Sequence, residues 1–146
     1  QELLAGDVLT KRGSLTFLAR LHELSVPRAV ATSSSGAKAR RLLQKTGLMR
    51  FIQHVTGGDE VNAGKPAPDV YIDAAKKLGI APKHCLAFED SNNGATAALA
   101  AGMWVIQIPD LAPSNRLPNP PNFNICYSLG EAARLIGLSL DDHLKT

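Results

Sequence analysis

Short apolar runs alternate with amphipathic stretches along this chain, and the joining loops are mostly a few residues long. That alternation limits the fold more than any single motif does. Residues 29–31, 51–55, 86–88 and 104–108 read as strands, with a last short one at 124–126. Helices are expected at 14–24, where Leu15, Phe17, Leu18 and Leu21 share a broad face, and before Gly47, with Leu42 and Leu43 inward. Two more are expected from Pro66 or Asp69 to Leu78, closed by Gly79, and over 93–101, closed by Gly102. Ser128 and Glu131 have capping-box spacing for a final helix ending near Ile136. The five prolines at 109, 113, 118, 120 and 121 exclude regular structure between the last two strands. Alternation of this kind predicts an α/β protein: a three-layer, open, mostly parallel sheet covered by helices, Rossmann-like in its organisation.

With 146 residues there is enough chain for one domain and a real core. Its 45% apolar and 20% charged residues describe a soluble globular chain. The net charge of +3 is spread out, and neither Arg40-Arg41 nor Lys76-Lys77 is interleaved with aromatics, so no nucleic-acid partner is expected. No membrane association is expected either, because no apolar run approaches the length of a span. Cys85 and Cys126 fall in apolar runs and read as buried thiols of a reducing, cytoplasmic compartment.

Three polar clusters each follow a strand, so a parallel sheet would gather them on one edge. The first is Thr32-Ser33-Ser34-Ser35, whose hydroxyls and free amides suit a phosphoryl oxygen; ordinary helix capping would need only one of them. The second is Gly64-Lys65-Pro66-Ala67-Pro68-Asp69, where prolines stiffen the backbone beside Lys65; a solvated lysine before a helix is the plainer alternative. The third is Glu89-Asp90, two carboxylates that together call for a cation, magnesium being the natural one, although an aspartate there could simply cap the next helix. His22, His54, His84 and His143 have no ligand spacing, and there is no nucleotide-binding glycine fingerprint or nucleophile elbow.

Taken together, the segments Ala29-Val30-Ala31-Thr32-Ser33-Ser34, Gly57-Gly58-Asp59-Glu60 with Gly64-Lys65-Pro66-Ala67-Pro68-Asp69, and Phe88-Glu89-Asp90-Ser91-Asn92-Asn93-Gly94 resemble the haloacid dehalogenase superfamily, closest to its sugar-phosphatase and β-phosphoglucomutase-like branch. The resemblance runs from about Gly13 to Ile136. It implies a magnesium-dependent phosphate monoester hydrolase acting on a small phosphorylated metabolite through an aspartyl-phosphate. It assigns Thr32 and Lys65 to catalysis, with Ser33 and Ser34 joining them on the phosphate. Asp90 and Glu89 fall to the metal. Ser91, Asn92, Asp69 and Gly94 would support that set, Asp69 by anchoring the Lys65 loop and Gly94 by letting the chain turn into its helix.

The superfamily's first motif, a strand ending in Asp-x-Asp, is not in this sequence. The expectation is therefore an incomplete core over 13–146, lacking its central first strand. Residues 1–12 would be a remnant of cap and linker, and the missing N-terminal segment of the same protein would supply the nucleophile. As residues 1–146 alone such a chain would be inactive, an anion-binding module at most. A β-phosphoglucomutase-like mutase is the alternative for the intact enzyme, and a metal-free dehalogenase is disfavoured by Glu89-Asp90.

Overall fold

The computed structural model describes residues 2–5, 13–109 and 120–138. Among the described residues six strands form one sheet: β1 (Glu2–Ala5), β2 (Arg28–Ala31), β3 (His54–Thr56), β4 (Leu86–Glu89), β5 (Trp104–Gln107) and β6 (Phe123–Ile125). Their order is β3-β2-β1-β4-β5-β6, and every pairing is parallel. Among the described residues four α-helices connect them, α1 (Ser14–Glu23), α2 (Gly36–Lys45), α3 (Asp69–Leu78) and α4 (Asn92–Ala100), and α5 (Leu129–Leu135) follows β6. Among the described residues no helix is long and apolar enough to cross a membrane.

Strand alternation divides the core in two. Val30, Phe88 and Ile106 face one side, where they meet Phe17, Leu18, Leu21, Leu43, Leu129 and Ala132 of α1, α2 and α5. Phe17 and Phe88 pack edge to face there, with centroids 5.2 Å apart. Ala29, Ala31, Ala87 and Val105 face the other side, against Tyr71 and Ala74 of α3 and Ala95 and Ala98 of α4. Small side chains on both surfaces let α4 lie close to the sheet. Glu89 shares the alanine face of β4 with Ala87, and it is 1% exposed.

The expected hole in the sheet is filled. β1 lies between β2 and β4, pairing Leu3 with Ala29 and Ala87, and Leu4 with Val30 and Phe88. The acidic motif expected to mark this strand is not what places it. A sheet centre with a ladder on both flanks accepts a short extended apolar segment, and Leu3-Leu4-Ala5 provides one.

Smaller differences have equally local causes. Residues 49–51 form a 3-10 turn and β3 starts only at His54, because Phe51 and Ile52 turn inward to the core and the Gln53 amide bonds the Arg28 carbonyl. Leu15 and Leu42 are exposed while Phe17, Leu18, Leu21 and Leu43 are buried, since each helix lays only one stripe on the sheet. At α5 the Ser128 hydroxyl accepts from the Glu131 amide at 3.0 Å, while the Glu131 carboxylate accepts from the Tyr127 amide at 2.9 Å, one residue earlier than a capping box requires. Of the proline-rich stretch, residues 110–119 lie outside the described residues, as do Asp141, Asp142 and His143.

Candidate active site

In a 3-2-1-4 order the chain reverses direction of winding between β1 and β4, and the crevice at their carboxyl ends is where such sheets take ligands. The loops after β2, β3 and β4 all open on this edge, so the three polar clusters do share it.

Thr32 follows β2 directly and is 5% exposed. Its amide donates to the Thr56 carbonyl at 3.0 Å, and its hydroxyl oxygen accepts from the Ser34 amide at 3.1 Å. Ser33 is exposed and Ser34 half-buried. Capping of α2 falls to Ser35, which accepts from the Lys38 amide at 3.1 Å, so the cap does not need the first three hydroxyls. The loop after β3 presses against this turn. A Cβ on Gly57 would lie 2.2 Å from the Gly36 nitrogen, and one on Gly58 would lie 2.7 Å from the Ser33 carbonyl oxygen. The Asp59 carboxylate accepts from the Gly36 amide at 2.9 Å. Close backbone approach explains the Gly57-Gly58-Asp59 motif.

Lys65 is the centre of the site. Its side chain is 7% exposed, and Nζ donates to the Ala31 carbonyl at 3.2 Å and to Glu89 Oε2 at 2.5 Å. Those partners end β2 and β4, so the ammonium bridges the two strands that flank β1. Asp69 accepts from the Ala63 amide at 3.2 Å, tying the Lys65 loop to the first turn of α3.

Glu89 is engaged on that side rather than turned to the open edge. Its Oε2 also accepts from the Tyr71 hydroxyl, a partner that the sequence pattern does not single out. The signal is there in an aromatic six residues after Lys65 on the inward face of a helix, but helical spacing alone says only that it is core. Gly94 lies inside α4, and the Glu89 carboxylate supplies its reason: a Cβ there would sit 1.9 Å from Oε1. Ser91 caps α4 through the Gly94 amide at 3.0 Å, and Asn92 Oδ1 accepts from Gln107 Nε2 at 2.9 Å.

Glu89 meets Lys65 here and Asp90 is half-buried just past β4, and carboxylate oxygens such as theirs are the hard donors a magnesium ion takes. Among the described residues no three His, Cys, Asp or Glu side chains converge as a ligand set. Thiol chemistry is disfavoured: burial pushes the Cys85 thiol up, and burial with the Glu131 charge does the same to Cys126. The concavity bounded by Lys83, His84, Trp104 and Leu135 lies at the opposite end of β4 and β5. Asp7 follows β1 by two residues in sequence, and it lies outside the described residues.

A fully parallel sheet with a buried lysine across its switch point defines an α/β, Rossmann-like core with its ligand edge at the strand ends. The sequence profile of the haloacid dehalogenase-like hydrolases matches residues 2–102, and the chain belongs to that family. It is 40% identical over 115 residues to the Drosophila melanogaster protein named Probable pseudouridine-5'-phosphatase, covering 75% of this chain and 50% of that one. It is 43% identical over 81 residues to the β-phosphoglucomutase of Mycobacterium bovis, covering 53% of this chain and 31% of that one. CbbY from Rhodobacter sphaeroides, solved with phosphate and with xylulose-(1,5)bisphosphate, superposes with a TM-score of 0.75 at 27% identity, over 83% of this chain and 55% of that one. The chain spans about half the length, or less, of the curated relatives it matches.

Proposed function

We propose that this chain carries the phosphate-handling edge of an enzyme that transfers the phosphoryl group of a small phosphorylated sugar or related metabolite. The observation that carries this reading is Lys65, fixed between the Ala31 carbonyl and Glu89 at the ends of β2 and β4. A lysine has three donors, and two are engaged there, which leaves one for an incoming anion. In this reading the amides and hydroxyls of Thr32, Ser33 and Ser34 orient the phosphoryl oxygens, and Lys65 offsets the charge that builds on them in the transition state. Magnesium, when bound at Asp90, would supply further charge compensation on the same oxygens. A carboxylate would accept the phosphoryl group before water or a second hydroxyl takes it. Asp7 is the first to examine, since it follows β1 most closely in sequence.

A mutase reading has specific support, because the chain is 43% identical over 81 residues to the β-phosphoglucomutases of two Mycobacterium species. Phosphorus NMR of an aldose-phosphate panel with magnesium separates the outcomes. Release of inorganic phosphate marks a phosphatase, and a positional isomer without release marks a mutase. Phosphate binding without either marks an anion-binding module, and no binding at all overturns the proposal. Where turnover is seen, Asp90→Asn and Lys65→Ala should each lower kcat by about 10²-fold or more. Full activity in either variant removes that residue from the mechanism.

A further inference from the structure

We propose that Tyr71 is a positioning residue that holds Lys65 at the switch point, acting through Glu89. Tyr71 is the third residue of α3 and is fully buried. Its hydroxyl donates to Glu89 Oε2, the same oxygen that takes the Lys65 ammonium. Its ring lies beside that ammonium, with Nζ 5.1 Å from the ring centroid. On the far side Gly94 makes the space that the carboxylate fills, since a Cβ there would lie 1.9 Å from Oε1. Ring and hydroxyl thus hold one carboxylate in the place the glycine leaves for it, and the carboxylate holds one lysine.

Packing alone does not call for this hydroxyl. Phenylalanine would fill the same volume between α3 and the sheet, and it would not carry a polar atom into the core. A lysine stem is flexible and loses rotamer entropy when held, so a second donor on Glu89 matters by keeping that carboxylate in the one pose that aims Nζ at the strand ends. The consequence for turnover rests on the phosphoryl-transfer reading above. The positional claim does not.

The test is Tyr71→Phe, read first without any substrate. Nitrogen-detected NMR of lysine ammonium groups shows those held by hydrogen bonds and protected from exchange. The Lys65 signal, assigned by its loss in Lys65→Arg, should be narrow in the native chain and broadened or lost in Tyr71→Phe, while circular dichroism confirms that the variant folds. An unchanged Lys65 signal in the variant, or no protected signal in the native chain, overturns the proposal. Where the native chain turns over, Tyr71→Phe should lower kcat about tenfold with KM moved less than about threefold, because an aimed charge matters most as the transition state forms. Unchanged kcat beside a broadened Lys65 signal would overturn the catalytic consequence and support the positional claim alone. A native chain that shows the protected ammonium and binds no phosphate strikes the function reading and leaves the positional inference standing.

Discussion

Two lysines of this protein meet carboxylates in opposite surroundings, one at the strand ends and one on a helix. Lys65 and Glu89 are 7% and 1% exposed and sit at the switch point. Lys77 and Asp73 pair at 3.1 Å on α3 with about a third of each side chain exposed. The second pair belongs to a wider cluster: Lys77 lies 4.0 Å from Glu60, and Glu60 lies 3.4 Å from Arg40. Arg40 and Lys77 both donate to the Val55 carbonyl, at 3.2 and 3.0 Å. β3 is an edge strand, so these cations cover backbone that would otherwise offer itself to another strand. Solvent weakens each of those attractions and lets the side chains share partners. The buried pair has no such latitude. Its desolvation is repaid only in a single geometry with extra hydrogen bonds, which Tyr71 and Ala31 provide. One cluster covers an edge; the other fixes a charge in space.

The contrast can be broken most severely at Glu89. Glu89→Ala leaves the Lys65 ammonium buried without its counter-charge and should cost about 3–5 kcal/mol in urea unfolding. A loss below about 1 kcal/mol would mean that the pair is effectively solvated. Gly94→Ala should come next, at about 1–3 kcal/mol, because its methyl group collides with the Glu89 carboxylate. Made in a Glu89→Ala background, the same change should cost much less, and equal costs in both backgrounds would exclude the collision as the cause. At the exposed cluster, a double-mutant cycle on Asp73 and Lys77 should return a coupling of about 0.2–1 kcal/mol that shrinks with added salt.

The smallest effect is a pH dependence at Asp73. Burial raises the pKa of this carboxyl, but bonds from the Thr56 hydroxyl and from Lys77, with the charges of Lys77 and Lys76, outweigh it and hold the value below its ordinary 3.8. The unfolded chain therefore binds this proton at higher pH than the folded one does. The contribution is fully present above about pH 4 and fades as pH falls through the lower folded value. The stability difference between the native chain and Asp73→Asn should narrow over that acid range; a gap that widened there would reverse the sign of the shift.

Much of the site is legible in single residues. Lys65 stands just before two stiffening prolines, Thr32 ends an apolar run, and Asp69 opens a helix, so local pattern alone puts each on the carboxyl edge of a parallel sheet. Glu89 and Asp90 are equally visible as a pair, but adjacency hides their difference. Strand alternation sends the Glu89 side chain to the alanine face, beside Tyr71, while Asp90 falls past the strand end. Gly94 shows itself as a glycine, yet its reason is a carboxylate five residues earlier that only packing brings against it.

The sequence by itself determined the alternation of strand and helix, the two-sided apolar pattern of the strands, the helix stops at Gly79 and Gly102, and the loops that carry the polar side chains. These are local consequences of side-chain period and backbone freedom, readable a few residues at a time. Only the tertiary structure decided that Glu2–Ala5 occupies the centre of the sheet, because a short apolar segment becomes a strand when two ladders flank it. It also decided that Lys65, Tyr71, Glu89 and Gly94 form one locked unit. Those four come from a loop, two helices and a strand, and no local rule couples them; burial does, by leaving a buried charge no partner except the one that folding brings to it.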